Sequence, residues 1–150
     1  MQDVLVSGVV ALDHIVIGDR DEAELLGGSA SFASLSAAFF SPKVHLHAVV
    51  GNDFPSQYRE VLASRGILMD GLETLPGKTF RWCGKYDPDN VNNRETVYRE
   101  LNVLDNWEMT ADESLKECPV VDLASATSRS HVNILGQVRK PRQVLADTMD

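Results

Sequence analysis

Hydrophobic residues along the chain fall into short runs broken by polar or glycine-bearing stretches. Residues 4–18, VLVSGVVALDHIVIG, are mostly apolar and β-branched. VLVSG predicts a buried strand, and LDHIVIG an extended segment leaving it. GDRDEAE (18–24) reads as a polar turn. Residues 29–40, SASFASLSAAFF, predict a helix, with Phe32, Leu35 and Phe39 on one stripe and Ala33, Ala37 and Phe40 on the next. VHLHAVV (44–50) predicts the next strand. Phe54, Tyr58, Val61 and Leu62 have the spacing of the core face of a short helix. Pro55 suits its first turn and Gly66 its C-terminal stop. ILMDGLE (67–73) leads back out. Nearly continuous apolar strands alternating with helices predict an α/β domain, a parallel sheet with crossover helices.

The rhythm breaks at residue 74. TFRWCGKYD (79–87) and ETVYRELNVL (95–104) are extended runs of mixed polarity, and the turn formers PDNVNNR lie between them. This predicts an antiparallel excursion with a connection longer than a minimal hairpin. Alternation places Phe80, Trp82 and Gly84 on one face and Arg81, Cys83 and Lys85 on the other. Such an aromatic face suits closing over a pocket, packing on the domain or meeting a second subunit. The α/β rhythm then returns. Thr110 and Glu113 have capping-box spacing, PVVDLAS (119–125) predicts a strand, SHVNILGQV (130–138) a helix, and QVLADTMD (143–150) a further strand. No crossover helix follows that strand, so the chain reads as truncated.

Length and charge narrow the picture. A chain of 150 residues fits a single domain. A net charge of -8 with scattered basic residues excludes an electrostatic grip on nucleic acid. Cys83 and Cys118 read as free thiols in a reducing compartment. No apolar stretch approaches the roughly 18 residues needed to span a bilayer. These features predict a soluble, cytoplasmic protein with no membrane or nucleic-acid partner.

Several residues could carry chemistry. Asp13 lies near the carboxyl end of the first strand, where open α/β sheets bind ligands. It suits either hydroxyl binding or a local turn. Gly27 and Gly28 precede the small-residue helix, whose first turn offers unpaired backbone N–H groups. They suit either close approach of a ligand or a bend before a packing helix. Asp53, in the GND at 51–53, suits helix capping. Arg81 and Trp82 sit on the excursion. His14, His45, His47 and His131 form no metal-ligand pattern, so no metal site is predicted.

Together, SGVVALD (7–13), ELLGGSASFASLSAAFF (24–40), VVGND (49–53), LASRGILMDGLE (62–73), GKTFRWCGKY (77–86) and VLADTMD (144–150) resemble the N-terminal half of the PfkB family. These are the ribokinase-like carbohydrate and nucleoside kinases. The resemblance implies a Rossmann-like α/β domain forming the N-terminal portion of a single ribokinase-like domain. It also implies a small β lid built from about 12–26 and 77–103. Asp13 would bind substrate hydroxyls, and Gly27, Gly28 and Ser29 would line the pocket. Phe32 stands where the family has an asparagine, which removes a sugar-binding amide and suits a less polar or aromatic ligand group. Asp53, Arg81 and Trp82 would belong to the lid or support the site. A full-length parent would use ATP and Mg2+, with a general-base aspartate in a GAGD motif. No GAGD occurs in these residues. The implied function is the substrate-binding and lid portion of a kinase, silent alone, with a homodimer through the lid as an allowed assembly. The alternative is a non-enzymatic binding or assembly module using its flap strands.

Overall fold

The computed structural model describes residues 2–148. Met149 and Asp150, part of the last strand expected from sequence, lie outside the described residues. The main sheet is formed by β1 (Val4–Ser7), β4 (Val44–Gly51), β5 (Ile67–Leu75), β8 (Val120–Leu123) and β9 (Gln143–Ala146). Its order is β5-β4-β1-β8-β9, with every neighbouring pair parallel. Between them run α1 (Ser29–Ala37), α2 (Ser56–Ser64), α3 (Glu113–Lys116) and α4 (Ser128–Gln137).

The central strands are apolar on both faces because each face has its own core. Val6, Val44, Leu46, Ala48 and Val50 pack with Ala30 of α1 and Leu62 of α2. Leu5, Val121 and Leu123 pack the other way, with Leu115 of α3 and Ile134 of α4. The result is a three-layer α/β arrangement.

A second sheet stands apart, with strands β2 (Ala11–Ile17), β3 (Arg20–Gly27), β6 (Arg81–Tyr86) and β7 (Arg94–Glu100) in the order β3-β2-β6-β7. β2 and β6 are parallel, and the outer pairs are antiparallel. The chain passes from β1 through Gly8–Val10 into this sheet and returns at Gly27–Gly28.

Four expectations change. Only Gly18–Asp19 of GDRDEAE forms a turn, and Arg20 onward is strand β3. Residues 20–25 are all exposed on this edge strand, so no alternation marks them. α1 ends at Ala37, and its inner face is Ala30, Ser31 and Ser34, while Phe32, Phe39 and Phe40 are exposed. Small residues let the helix lie close on the sheet, which turns the large side chains outward. Val61 is exposed, leaving Phe54, Tyr58 and Leu62 to hold α2. Thr110 makes no capping box, since Asp112 is the N-cap of α3 and makes no side-chain cap bond.

Candidate functional site

Asp13 and the Gly27–Gly28 pair are brought together by the antiparallel pairing of β2 with β3, which sets Ala11 opposite Gly27 and Asp13 opposite Leu25. The ladder shifts register between Asp13 and Ile15, a bulge of the kind that re-aims side chains. The Asp13 carboxyl lies flush against Gly27, where a Cβ would fall inside it. Gly28 has φ 87° and its backbone crosses that of Val9 and Ala11, leaving no space for a side chain. The backbone therefore requires glycine at 28, and the Asp13 carboxyl as placed leaves no room for a side chain at 27.

Gly28 is the N-cap residue of α1, and its N–H donates to the Asp13 carboxylate. Burial pushes the Asp13 pKa up from 3.8 to about 6, and the Gly28 hydrogen bond only partly offsets that. The start of α1 is tied down on several sides. Ala30 N–H donates to the Val9 carbonyl at 3.0 Å. Ser31 Oγ donates to the Gly27 carbonyl at 2.8 Å, and Ser29 Oγ to the Ser125 carbonyl beyond β8 at 3.2 Å. Phe32, one turn into the helix, is 58% exposed.

Asp53 has a different task from helix capping. The N-cap of α2 is Pro55, with no side-chain cap bond. The Asp53 carboxylate instead accepts from Thr79 N–H at 2.7 Å, Thr79 Oγ1 at 2.7 Å and Arg81 Nη1 at 2.9 Å. Arg81 Nη2 donates to both carboxylate oxygens of Glu24, at 2.8 and 3.0 Å. Burial acts to raise the Asp53 pKa, but the bonds from Thr79 and Arg81 outweigh it and hold the group below its ordinary value. Gly51 N–H donates to Thr79 Oγ1 at 3.0 Å, and a Cβ on Gly51 would collide with the 77–79 backbone. The GND segment thus fastens the root of β6 to the end of β4. Tyr58 OH adds a bond to the Glu24 carbonyl at 2.6 Å.

Trp82 is level with Asp13 in the parallel β2–β6 pair, so both leave the sheet on one face. Leu25 completes the row from β3. The Trp82 ring rests on Gly84, Nε1 donates to Thr96 Oγ1 at 3.2 Å, and Arg94 lies 5.6 Å from the ring centroid. Thr79, Glu24 and Leu25 were not singled out from sequence, because only strand pairing brings them to these places.

His14, next to Asp13 on β2, bonds Tyr98 and Asp21 of the small sheet, and the other histidines lie elsewhere. His47 is buried, with Nδ1 2.9 Å from Ser7 Oγ and Nε2 3.2 Å from the Thr110 carbonyl, and His45 pairs with Asp70 at 2.9 Å. Among the described residues, no group of three or more His, Cys, Asp or Glu could hold a metal ion. The ionisable group at Gly27–Gly28 is itself an acid, which repels phosphate. These residues fit a neutral, hydroxyl-bearing ligand and do not by themselves fit a Mg2+-nucleotide. Among the described residues, no helix is long and apolar enough to cross a membrane.

No family model matches the chain. It is 35% identical over 80 residues to a cytidine kinase of Thermococcus kodakarensis, a match covering 53% of this chain and 28% of that protein. The nucleoside kinase of Methanocaldococcus jannaschii, an archaeal member of the ribokinase family, superposes with a TM-score of 0.75 at 17% identity, over 98% of this chain and 52% of that one. A ribokinase-II-type protein of E. coli in complex with ATP and Mg2+ gives a TM-score of 0.75 at 16% identity, over 98% and 53% of the two chains. The structural neighbours are thus ribokinase-family kinases about twice as long as this chain, and the chain has the ribokinase-like fold over about half their length.

Proposed function

We propose that this chain is the substrate-binding and lid portion of an ATP-dependent kinase that phosphorylates a hydroxyl of a sugar or nucleoside. The observation that carries this reading is the Asp13 carboxylate seated on Gly27–Gly28 at the start of α1. A carboxylate there can accept hydrogen bonds from two hydroxyls, while the glycine backbone lets the ligand approach closely. Its similarity to a cytidine kinase and to ribokinase-family structures supports the same class.

In this reading Asp13 holds the substrate hydroxyls, Gly27, Gly28 and Ser29 form the floor, and Phe32 forms a wall. The small sheet is the lid. Trp82 lies on its pocket side, and Asp53 with Arg81 fixes its root. The ATP and Mg2+ of one structural neighbour fit a longer kinase of this kind. Bound Mg2+-ATP would supply the phosphoryl group. The residues here bind and orient the acceptor hydroxyl, and the small sheet excludes water from it. These residues contain no GAGD, so we assign the base and the phosphate site to chain beyond them and expect no turnover from the 150 residues alone.

Calorimetric titration of the chain with D-ribose and cytidine, repeated on Asp13→Ala, tests the assignment. Loss of binding in the variant is expected, and unchanged affinity removes the role of Asp13. ATP-dependent phosphorylation of either ligand by the pure chain would overturn the division of labour.

A second reading, a non-enzymatic assembly module or a homodimer joined through the lid, draws on β7. This edge strand is exposed along all seven residues. A concentration-dependent mass abolished by Val97→Lys would favour it.

A further inference from the structure

The seat of Asp13 depends on how β3 is counted against β2. Near the turn the ladder pairs Ile17 with Arg20, Val16 with Asp21 and Ile15 with Glu22. Past the bulge it pairs Asp13 with Leu25, Leu12 with Leu26 and Ala11 with Gly27. Over that step β2 spends His14 while β3 spends Ala23 and Glu24, so one extra residue resets the register. Side chains alternate along a strand, so Leu25 and Gly27 share a face. Gly27 is the diagonal neighbour on which the Asp13 carboxyl rests. Without the extra residue the outer register would run on, setting Glu24 opposite Asp13 and Leu26 on that diagonal. Two carboxylates would then face each other, and a leucine side chain would take the space the Asp13 carboxyl fills.

Glu24 carries the distortion. Its φ is 59°, and among the described residues it is the one non-glycine residue at positive φ within a strand. Residues other than glycine enter this region at a cost and stay only where their surroundings hold them. Two contacts do so here. Tyr58 OH, on α2, donates to the Glu24 carbonyl at 2.6 Å, and Arg81 Nη2, on β6, donates to both carboxylate oxygens. Arg81 is itself tied to Asp53, so the main chain and the side chain of Glu24 are each anchored to a separate element. The Glu24 side chain is 54% exposed, where an ion pair adds little stability, so its geometry matters more than its charge. We propose that Glu24 is a positioning residue, held by Tyr58 and Arg81, whose left-handed backbone sets the β2–β3 bulge and thereby keeps Asp13 on its Gly27 seat. Its effect on a ligand rests on the proposed hydroxyl-binding role of Asp13, while the seat itself is read from the ladder.

Two substitutions separate geometry from charge. Glu24→Val disfavours positive φ, because a β-branched side chain is crowded there, whereas Glu24→Gly adopts it freely. Carboxyl-detected NMR follows the titration of Asp13 in each full 150-residue protein, and calorimetry measures binding of D-ribose and cytidine. Wild-type Asp13 should titrate at about 6. In Glu24→Val the midpoint should fall toward 3.8 as the carboxyl leaves its seat. Affinity should drop about tenfold with it, as expected when an anchoring carboxylate is displaced. Glu24→Gly should recover the midpoint and most of the affinity, which a role for the ion pair alone would not allow. Equal losses in both variants, or no change in either, overturn the positioning role. A lowered midpoint in Glu24→Val with unchanged affinity leaves that role standing and removes hydroxyl binding by Asp13 instead. Absence of binding by wild type also removes only the hydroxyl-binding reading, and the midpoint still decides the positioning role. A wild-type midpoint near 3.8 overturns the seat itself. Should Glu24→Val not fold, Tyr58→Phe is read in its place. It keeps the ring beside Phe54 and removes only the bond to the Glu24 carbonyl, and an unchanged midpoint there overturns the inference.

Discussion

Replacing Asp13 by asparagine should stabilise the fold at neutral pH while removing ligand binding. The carboxyl is partly buried against Gly27, and its pKa stands at about 6 in the folded protein against an ordinary 3.8. A folded pKa above the unfolded one means that ionisation is harder in the folded state. The charged form therefore costs stability fully above about pH 6, the cost fades as pH falls toward 3.8, and it is absent below that. A shift of about two pK units corresponds to about 3 kcal/mol at most. Solvent still reaches the carboxyl, so screening reduces this to about 1–2 kcal/mol. The amide of Asp13→Asn keeps an oxygen for the Gly28 N–H and carries no charge. We expect its melting temperature at pH 7.5 to exceed wild type by about 3–6 °C, a scale set by domain size. Thermal melts of both proteins from pH 3.5 to 8 would show the gap opening with rising pH. A less stable variant at pH 7.5, or a gap independent of pH, would refute the electrostatic account. Such a residue opposes folding, as expected of the binding role proposed for it.

Other expectations follow from the same contacts. Gly27→Ala should displace Asp13 or destabilise the fold, because its Cβ would occupy the space of the carboxyl; calorimetry should show loss of ligand binding in whatever folds. Asp53→Ala should cost about 2–3 kcal/mol by leaving Thr79 and Arg81 without their shared acceptor, read by urea unfolding. Wild-type Asp53 adds stability above its ordinary pKa that is lost as pH falls through its lowered folded value, so the variant should differ least in strong acid. Ser34 Oγ is buried with no hydrogen-bond partner, and Ser34→Ala should raise stability by about 1 kcal/mol. Burial keeps His47 below its ordinary 6.5, partly opposed by Thr110, Asp112 and Glu73. The unfolded chain takes up a proton there first, so stability should fall as pH drops below 6.5. His47→Gln should flatten that decline.

The main sheet was legible because its strands are covered on both faces, and nearly unbroken apolar runs leave little room for another reading. Strand β3 was hidden for the opposite reason. Its exposed edge residues carry no pattern, and only the return to β2 makes them a strand. On α1, the stripes of Phe, Leu and Ala did not reveal the buried face, since the close approach to the sheet admits Ala30, Ser31 and Ser34 and leaves Phe32, Phe39 and Phe40 exposed. The site was half visible. Gly27–Gly28 signalled an unusual backbone, but its causes are non-local: the Asp13 carboxyl, fourteen residues before Gly27, and the Val9–Ala11 backbone against Gly28. Asp53 has local spacing that suits a helix cap, while its actual partners Thr79 and Arg81 lie 26 and 28 residues away.

The Asp53 clamp has a mechanical consequence. With β6 bolted to the end of β4 through Thr79 and Arg81, the small sheet cannot swing freely about that root. The other crossing, Gly27–Gly28, is closed as well, since the Asp13 carboxyl fills the space over Gly27 and the Val9–Ala11 backbone lies against Gly28. The Ala30 N–H bond to the Val9 carbonyl pins the same crossing from the helix side. On the proposed reading, a ligand at Asp13 meets a wall already fixed at both roots, and binding there should need little movement of the small sheet.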